Sequence, residues 1–403
     1  MQRLDTVALI ALIAAYSLGP LATQIITPAV PFVHRDLAVS MPAAQALVSL
    51  AFVVIALATL VYGPLADRHG RRPVVLIGTT LFCAGSFLAL CAVTADWLML
   101  GRAIQSAGSA AALSLTRTVI HDVYGRQHSD RVLAHLTTVM FFVPTLAPGI
   151  GGALIDHVGW RAVFGVCVVF GIVALSLLAL FMPETRPAQA NRPRLRDAFA
   201  GYFALLRERD YRAPALHFAC VMAAVFATQA AIPYLVVEVL GGSATEYGVW
   251  FGVACLFYSA GNQFTARWGH RFERRRLILA SGIGCVVAAA SGAIAVQLFA
   301  MGTAVLFVPT IALYFFAAVG IAPVQAEAVA ALPDRTGAAS GLLTSLQMVI
   351  GAATVQAIGF AHDGTPRPLF VALVVCSVAA VALFIALRRD PAAAGMQPAG
   401  ITP

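Results

Sequence analysis

Lysine is absent from this 403-residue chain, and all 26 basic side chains are arginine. A Walker-type phosphate loop needs its lysine, and imine chemistry needs one as well. A P-loop ATPase and a Schiff-base enzyme are therefore excluded within this chain. Charge of either sign is scarce: 11% of the residues are charged, against about 25% in a soluble domain. The seven cysteines (Cys83, Cys91, Cys167, Cys220, Cys255, Cys285 and Cys376) all fall in apolar stretches. None has CxxC or metal-ligand spacing, so they read as small buried hydrophobes, and no metal site is expected. HExxH and GxSxG are missing, and no paired carboxylates share one depth, which leaves a membrane enzyme without its usual groups. The charged rings and repeated pore loops of a channel are missing too.

Hydrophobicity is what the chain has. Sixty per cent of its residues are hydrophobic and its mean hydropathy is +0.86. Apolar runs of roughly 20 residues, the span of a bilayer core, recur from end to end. Twelve helices are expected near 6–29, 43–65, 74–95, 97–121, 132–155, 161–182, 213–239, 246–266, 277–298, 302–331, 338–360 and 368–387. The first run is long and many spans follow it, unlike a cleaved leader. With both termini cytoplasmic, the inside segments hold 21 arginines and the outside loops three: Arg35, Arg161 and Arg367. That asymmetry is the positive-inside signal. Because the arginines sit in short loops on one side, the net charge of +8 is not a nucleic-acid footprint.

The stretch Gly63–Arg72 (GPLADRHGRR) anchors this orientation, with Arg68, Arg71 and Arg72 crowded into one connection. Its Gly-Pro is expected to break the helix one turn before Asp67. A decayed twin, TARWGHRFERRRLILASG at 265–282, stands between spans 8 and 9. The longest loop, 183–212, holds seven arginines and three prolines and divides the chain. Its LRDAFAGYFALL has helical spacing suited to the membrane surface. The expected organisation is an all-α polytopic membrane protein of two pseudo-symmetric six-helix bundles (1–182 and 213–387), joined by the basic linker 183–212. A disordered cytoplasmic tail, 388–403, follows. Such repeated halves are the mark of transporters with a central site.

At these motifs the chain resembles the major facilitator superfamily, and within it the bicyclomycin/chloramphenicol-type (Bcr/CflA) drug–proton antiporters. GPLADRHGRRPVVLIG resembles that family's loop motif, with Gly63, Asp67, Arg68, Gly70, Arg71 and Arg72 matching. GRAIQSAGSAAALSLTRTVIHDVYG resembles its fourth-helix motif through Arg102, Gln105, Gly108, Arg117 and Asp122. PTLAPGIGGALIDHVGWRAVF resembles the antiporter motif through Pro144, Pro148, Gly149, Gly151 and Gly152, and MPETRP before a basic linker also fits. The resemblance implies export of small drug-like compounds across a bacterial inner membrane by a monomer. It implies energy from the proton gradient, no cofactor, and lipid as the surroundings. One departure matters: Gln24 stands where the family usually has an acid, and glutamine cannot change charge. That departure keeps solute uptake or facilitated diffusion open as an alternative.

Some residues carry chemistry on their own terms. Arg102 lies about 7 Å inside span 4, at 1.5 Å per residue, where a charge needs a partner or a wet cavity unless it snorkels. Glu327 is the carboxylate clearly inside a span, and a Glu alternating between a buried setting and an arginine would carry a proton. Arg117 sits at similar depth, so the two are expected to pair in one state. Glu238 reads as an interfacial acid. Asp67 reads as a latch meeting a helix N-terminus or an arginine in one conformation, with Asp122 meeting loop arginines. Pro144 and Pro148 bend span 5, and its glycines admit a neighbouring helix. By family analogy Tyr16, Gln24, Gln105, Gln229, Tyr234 and Gln325 line the cavity. His121, His135 and His217 read as packing residues first.

Overall fold

The computed structural model describes residues 6–185, 202, 205–331 and 336–387, with backbone alone at 121, 125–141, 336 and 337. The linker's remaining residues and the tail 388–403 lie outside the described residues. So do Arg335 and most of the expected surface helix. The side chains of His121 and His135 are likewise not described.

Among the described residues the chain is all helix. The helices are α1 (Thr6–Ile26), α2 (Val30–Asp36), α3 (Met41–His69), α4 (Arg71–Leu90), α5 (Ala95–Val158) and α6 (Arg161–Phe181). They continue with α7 (Arg209–Tyr234), α8 (Ala244–Trp268), α9 (Arg274–Leu298), α10 (Thr303–Ala330), α11 (Thr336–Phe360) and α12 (Arg367–Leu387). Most are built largely of apolar residues, and helical bonding satisfies the backbone's polar groups within each, as a hydrocarbon surrounding requires.

Three boundaries differ from expectation. Pro64 does not end its helix: α3 runs through it to His69, and the break comes at Gly70, whose φ of 104° only glycine adopts easily. The first span runs on past 29, through a short 3-10 turn (Thr27–Ala29), into α2. Spans 4 and 5 are not separated by a loop, since α5 is helical for 64 residues. A straight helix of that length would measure about 96 Å. Yet Arg161, just past its end, donates to the carbonyl of Ala92, just before its start, at 3.2 Å. So α5 folds back on itself, and its two limbs cross in opposite directions.

Helices α1 to α6 pack around two apolar clusters, one of which also takes in Ala244 of α8, and α7 to α12 pack around another. The halves meet where α3 lies against α11 and where the second limb of α5 lies against α8. Burial ranks the helices. The apolar window of α7 is 89% buried, against 33% in α6 and α12. Helix α7 is therefore central, while α6 and α12 face outwards with bare apolar side chains such as Val169 and Val371. Lipid tails suit such a surface. The turns at one end of the molecule carry Arg68, Arg71, Arg72, Arg267 and Arg274. This is the arginine-rich face, and the opposite end is the arginine-poor face.

Candidate functional site

A stripe along α3 organises the site. Pro42, Gln45, Ser49, Phe52, Ala56 and Thr59 recur every three or four residues, so they share one side of the helix. Each meets the second half. The Gln45 amide donates to the Ala230 carbonyl at 3.1 Å. Gln356 accepts from Ser49 at 2.9 Å and donates to the Pro42 carbonyl at 3.1 Å. Phe52 packs on Phe226, the rings tilted by 36° with 4.4 Å between centroids. Deeper in, Ser345 donates to the Ala56 carbonyl at 3.1 Å and lies 3.4 Å from Thr59. The apolar cluster between them joins Val30, Val48 and Phe52 to Ala230, Ala352 and Val355. Together these contacts close the arginine-poor side from its rim to more than halfway down α3.

The second seam, α5 against α8, follows from small residues. Side chains at Gly152 and Gly248 would strike the backbone of Ala244 and Pro148, so the two helices touch main chain to main chain. Gly149 faces Gly248, and Gly151 instead admits Ile25 of α1. Cys255 donates weakly to the Pro144 carbonyl at 3.6 Å. At the rim, Asp156 accepts from the backbone N–H groups of Ala244 (3.2 Å) and Thr245 (2.9 Å) and from the Thr245 hydroxyl (2.6 Å). A carboxylate from one half thus caps a helix of the other. Arg35 and Glu238 pair across the same rim at 2.5 Å.

Arg102 is fully buried and does not snorkel. Its Nε donates to the Leu47 carbonyl (3.2 Å) and its Nη1 to Gln105 (2.6 Å), whose amide donates to Ser86 (2.8 Å). Its Nη2 is buried without a partner. The group lies among α3, α4 and α5 inside the first half. Arg117, by contrast, is exposed and donates to the Tyr16 hydroxyl at 3.4 Å. The expected pairing of Arg117 with Glu327 is not made in this structure. Glu327 lines a cavity of about 350 Å³ with Asp210, Pro214, Arg274 and Phe384, between helix ends of the second half. Gln325 is exposed on the same helix. Gln24 and Gln229 each keep a buried side-chain oxygen without a partner. Tyr234 sits at the arginine-poor rim between His34 and His362. His217 packs on Phe384 with Nδ1 at the Ala380 carbonyl, 3.0 Å away.

The loop motif forms a compact charge cluster on the arginine-rich face. Asp67 pairs with Arg71 at 2.5 Å, and Arg71 also reaches Asp122 at 3.2 Å. Glu184 accepts from the backbone N–H of Arg71 (2.9 Å) and Arg72 (3.3 Å), capping α4. Arg72 in turn donates to the Ala179 carbonyl at 2.7 Å. Arg68 also belongs to this turn. Gly63 meets no neighbour at its Cβ position, so close approach does not explain it.

The description of the Major Facilitator Superfamily matches residues 12–356. The chain belongs to that superfamily. Multidrug resistance protein D of Escherichia coli is 30% identical over 342 residues, covering 85% of each chain. A chloramphenicol resistance protein of Pseudomonas aeruginosa is 26% identical, over 89% of this chain and 84% of its own. A solved bacterial homologue of the lysosomal transporter Spinster, in an inward-facing conformation, superposes with a TM-score of 0.73. It is 17% identical, over 95% of this chain and 98% of its own, and shares the fold.

As a member of this superfamily the chain carries signals that motif reading passes over. One is the stripe on α3, visible only as spacing. Another is the repeat Ala-Thr-Gln-x-x-x-Pro, which stands at 22–28, across the end of α1 and the 3-10 turn, and again at 227–233 in α7. It puts Gln24 and Gln229 at equivalent places in the two halves. His34 and His362 stand in no motif, and Asp156 and Glu184, though inside motif stretches, were not singled out as contacts.

Proposed function

We propose that this superfamily member is a secondary active multidrug exporter of a bacterial inner membrane. It exchanges small amphipathic compounds for protons by alternating access, as a monomer with both termini cytoplasmic. The observation that carries this reading is the asymmetric seam. Hydrogen bonds, ring contacts and the Asp156 cap close the arginine-poor side between the halves. The arginine-rich face is then the cytoplasmic one, and this is the conformation that loads substrate from inside. Relatives named for multidrug and chloramphenicol resistance support the choice of cargo. By family analogy Tyr16, Gln24, Arg117 and Gln229 would offer hydroxyl, amide and guanidinium groups to a compound with a large apolar body. In this reading the Asp67–Arg71–Asp122 cluster is the latch that re-pairs when the cytoplasmic side closes.

The test is a panel of resistance assays in a strain lacking its own pumps, run with the parent, Glu327→Gln and Arg102→Ala. Raised resistance in the parent is expected, with proton-coupled export reduced in Glu327→Gln. Full coupled export by that variant would remove Glu327 as the coupling acid. Gln24, in place of the usual acid, favours uptake or facilitated diffusion as the second reading. Energised inverted vesicles separate the two: an exporter dissipates the pH difference when substrate is added, and a facilitator leaves it intact.

A further inference from the structure

The rim of the closed side brings two histidines from opposite halves onto one tyrosine. His34, on α2, lies with its ring centroid 6.5 Å from that of Tyr234 at an interplanar angle of 66°. His362, in the connection between α11 and α12, meets the same ring edge-on at 4.3 Å and 80°. Tyr234 is the last residue of α7, and a five-residue π-helix, Leu235–Val239, follows it. Such π turns interrupt helices chiefly at functional places. Gln45 of α3 lines the same pocket as Tyr234 and His362.

The ring chemistry is specific. His34 Nδ1 lies 2.5 Å from the Val39 carbonyl, which can only accept, so Nδ1 carries a hydrogen and Nε2 is the nitrogen that takes a further proton. His362 is half-buried, and that burial holds its pKa below the ordinary value; Asp363 opposes it in part, and His34 adds a smaller push downwards. The nearby carboxylates are engaged. Asp36 is held by Trp160 (2.9 Å) and Arg161 (2.8 Å). Asp363 accepts from the Thr365 N–H (2.9 Å) and hydroxyl (2.6 Å). Asp156 caps α8, and Glu238 pairs with Arg35. Arg367 is a further cation on the α12 side, while Gln45 on the α3 side is neutral.

We infer that His34 and His362 form a proton-binding site across the seam between the halves, whose occupation opens the arginine-poor side. In the closed seam both rings stand against Tyr234. Protonating both would place two like charges in a partly desolvated rim, a cost that Asp363 beside His362 offsets only in part. Opening parts the halves and returns the imidazoles to water. Acid on that face therefore favours the open state, the state from which an exporter releases its cargo. The site uses none of the first-helix chemistry that Gln24 has removed. The inference rests on the proton-coupled reading above and gives it a location.

The test measures the seam directly. Spin labels go on Ser40→Cys and Ala361→Cys, both exposed and in opposite halves, in full-length protein with its seven native cysteines replaced. The distance distribution is followed from about pH 8 to about pH 5.5, the range in which histidine titrates. In the parent, the longer separation should gain population as pH falls, by roughly tenfold for each unit by which opening raises an imidazole's pKa. The double variant His34→Gln, His362→Gln should show a flat response. Should the glutamine variants fail to assemble, His34→Phe and His362→Phe keep the ring contacts and remove the titration. A pH-insensitive parent, or an equal response in the variants, overturns the inference. A responsive seam in a protein that exports no drug leaves this inference standing and removes the export reading. Drug export across an unresponsive seam does the reverse.

Discussion

Arg102 shows how little a residue's type says about its partner. It carries a buried positive charge, yet its partners are a carbonyl and an amide rather than a carboxylate. Arg102→Ala leaves the Leu47 carbonyl and Gln105 without their donor, and each buried group left unpaired costs about 1–3 kcal/mol. A clear drop in the thermal unfolding midpoint in detergent is expected; an unchanged midpoint would mean that the network contributes nothing. The Arg35–Glu238 pair is a different case. Arg35 is 55% exposed, so screening limits the pair to about 0–1 kcal/mol. Arg35→Gln should leave stability almost unchanged. At the loop motif, Arg71 is shared by Asp67 and Asp122. Asp67→Asn should therefore reduce transport while insertion into the membrane, measured by the amount of folded protein there, stays normal. Its effect should combine non-additively with Asp122→Asn, because both act through one guanidinium. The family motifs made Arg102, Asp67 and Asp122 legible in the sequence. The Leu47 carbonyl that Arg102 meets was not legible, since a carbonyl on another helix leaves no mark in a pattern.

At the scale of elements, α5 and α8 are held by what they lack. Gly152→Val would push the Ala244 backbone away and part the two helices at the rim. The native Cys255, buried against Pro144, reports this: its labelling by a thiol reagent, mapped by mass spectrometry, should speed up in Gly152→Val. Asp156→Asn should weaken the same seam more mildly, since a helix cap is worth roughly 0.5–2 kcal/mol. The antiporter-motif glycines were visible as letters. Which glycine meets α8 and which meets α1 depends on how α5 is rotated in the bundle, and a local pattern does not set that. The helical continuity of α5 between its two limbs was hidden for a similar reason. Polar residues near 122–131 read as a loop, but helical hydrogen bonding continues through them because the backbone satisfies its own groups whatever the side chains are. Pro64 likewise stays within α3, since a proline forfeits one hydrogen bond that neighbouring helices in a packed bundle can offset.

For the whole molecule, stability and pH are linked through the rim. His362 has its pKa lowered in the folded chain by burial, below the ordinary 6.5. The unfolded chain therefore binds the proton more readily. The stabilisation tied to the neutral ring is complete above that ordinary value and is lost as pH falls through it towards the folded value. Thermal unfolding at about pH 8 and about pH 5.5 should show this loss in the parent and a smaller one in His362→Gln; equal losses would remove His362 as the source. The sequence by itself determined that the chain is a many-span membrane protein, because mean hydropathy and arginine placement are sums over residues and need no contacts. It also determined the two related halves and the family, because motifs and repeats are written in order along the chain. Only the tertiary structure decided which face is closed, that Glu327 and Arg117 stand in separate surroundings, and that His34 and His362 share one tyrosine. Those relations join residues more than a hundred positions apart, and they depend on the tilt and rotation of one helix against another.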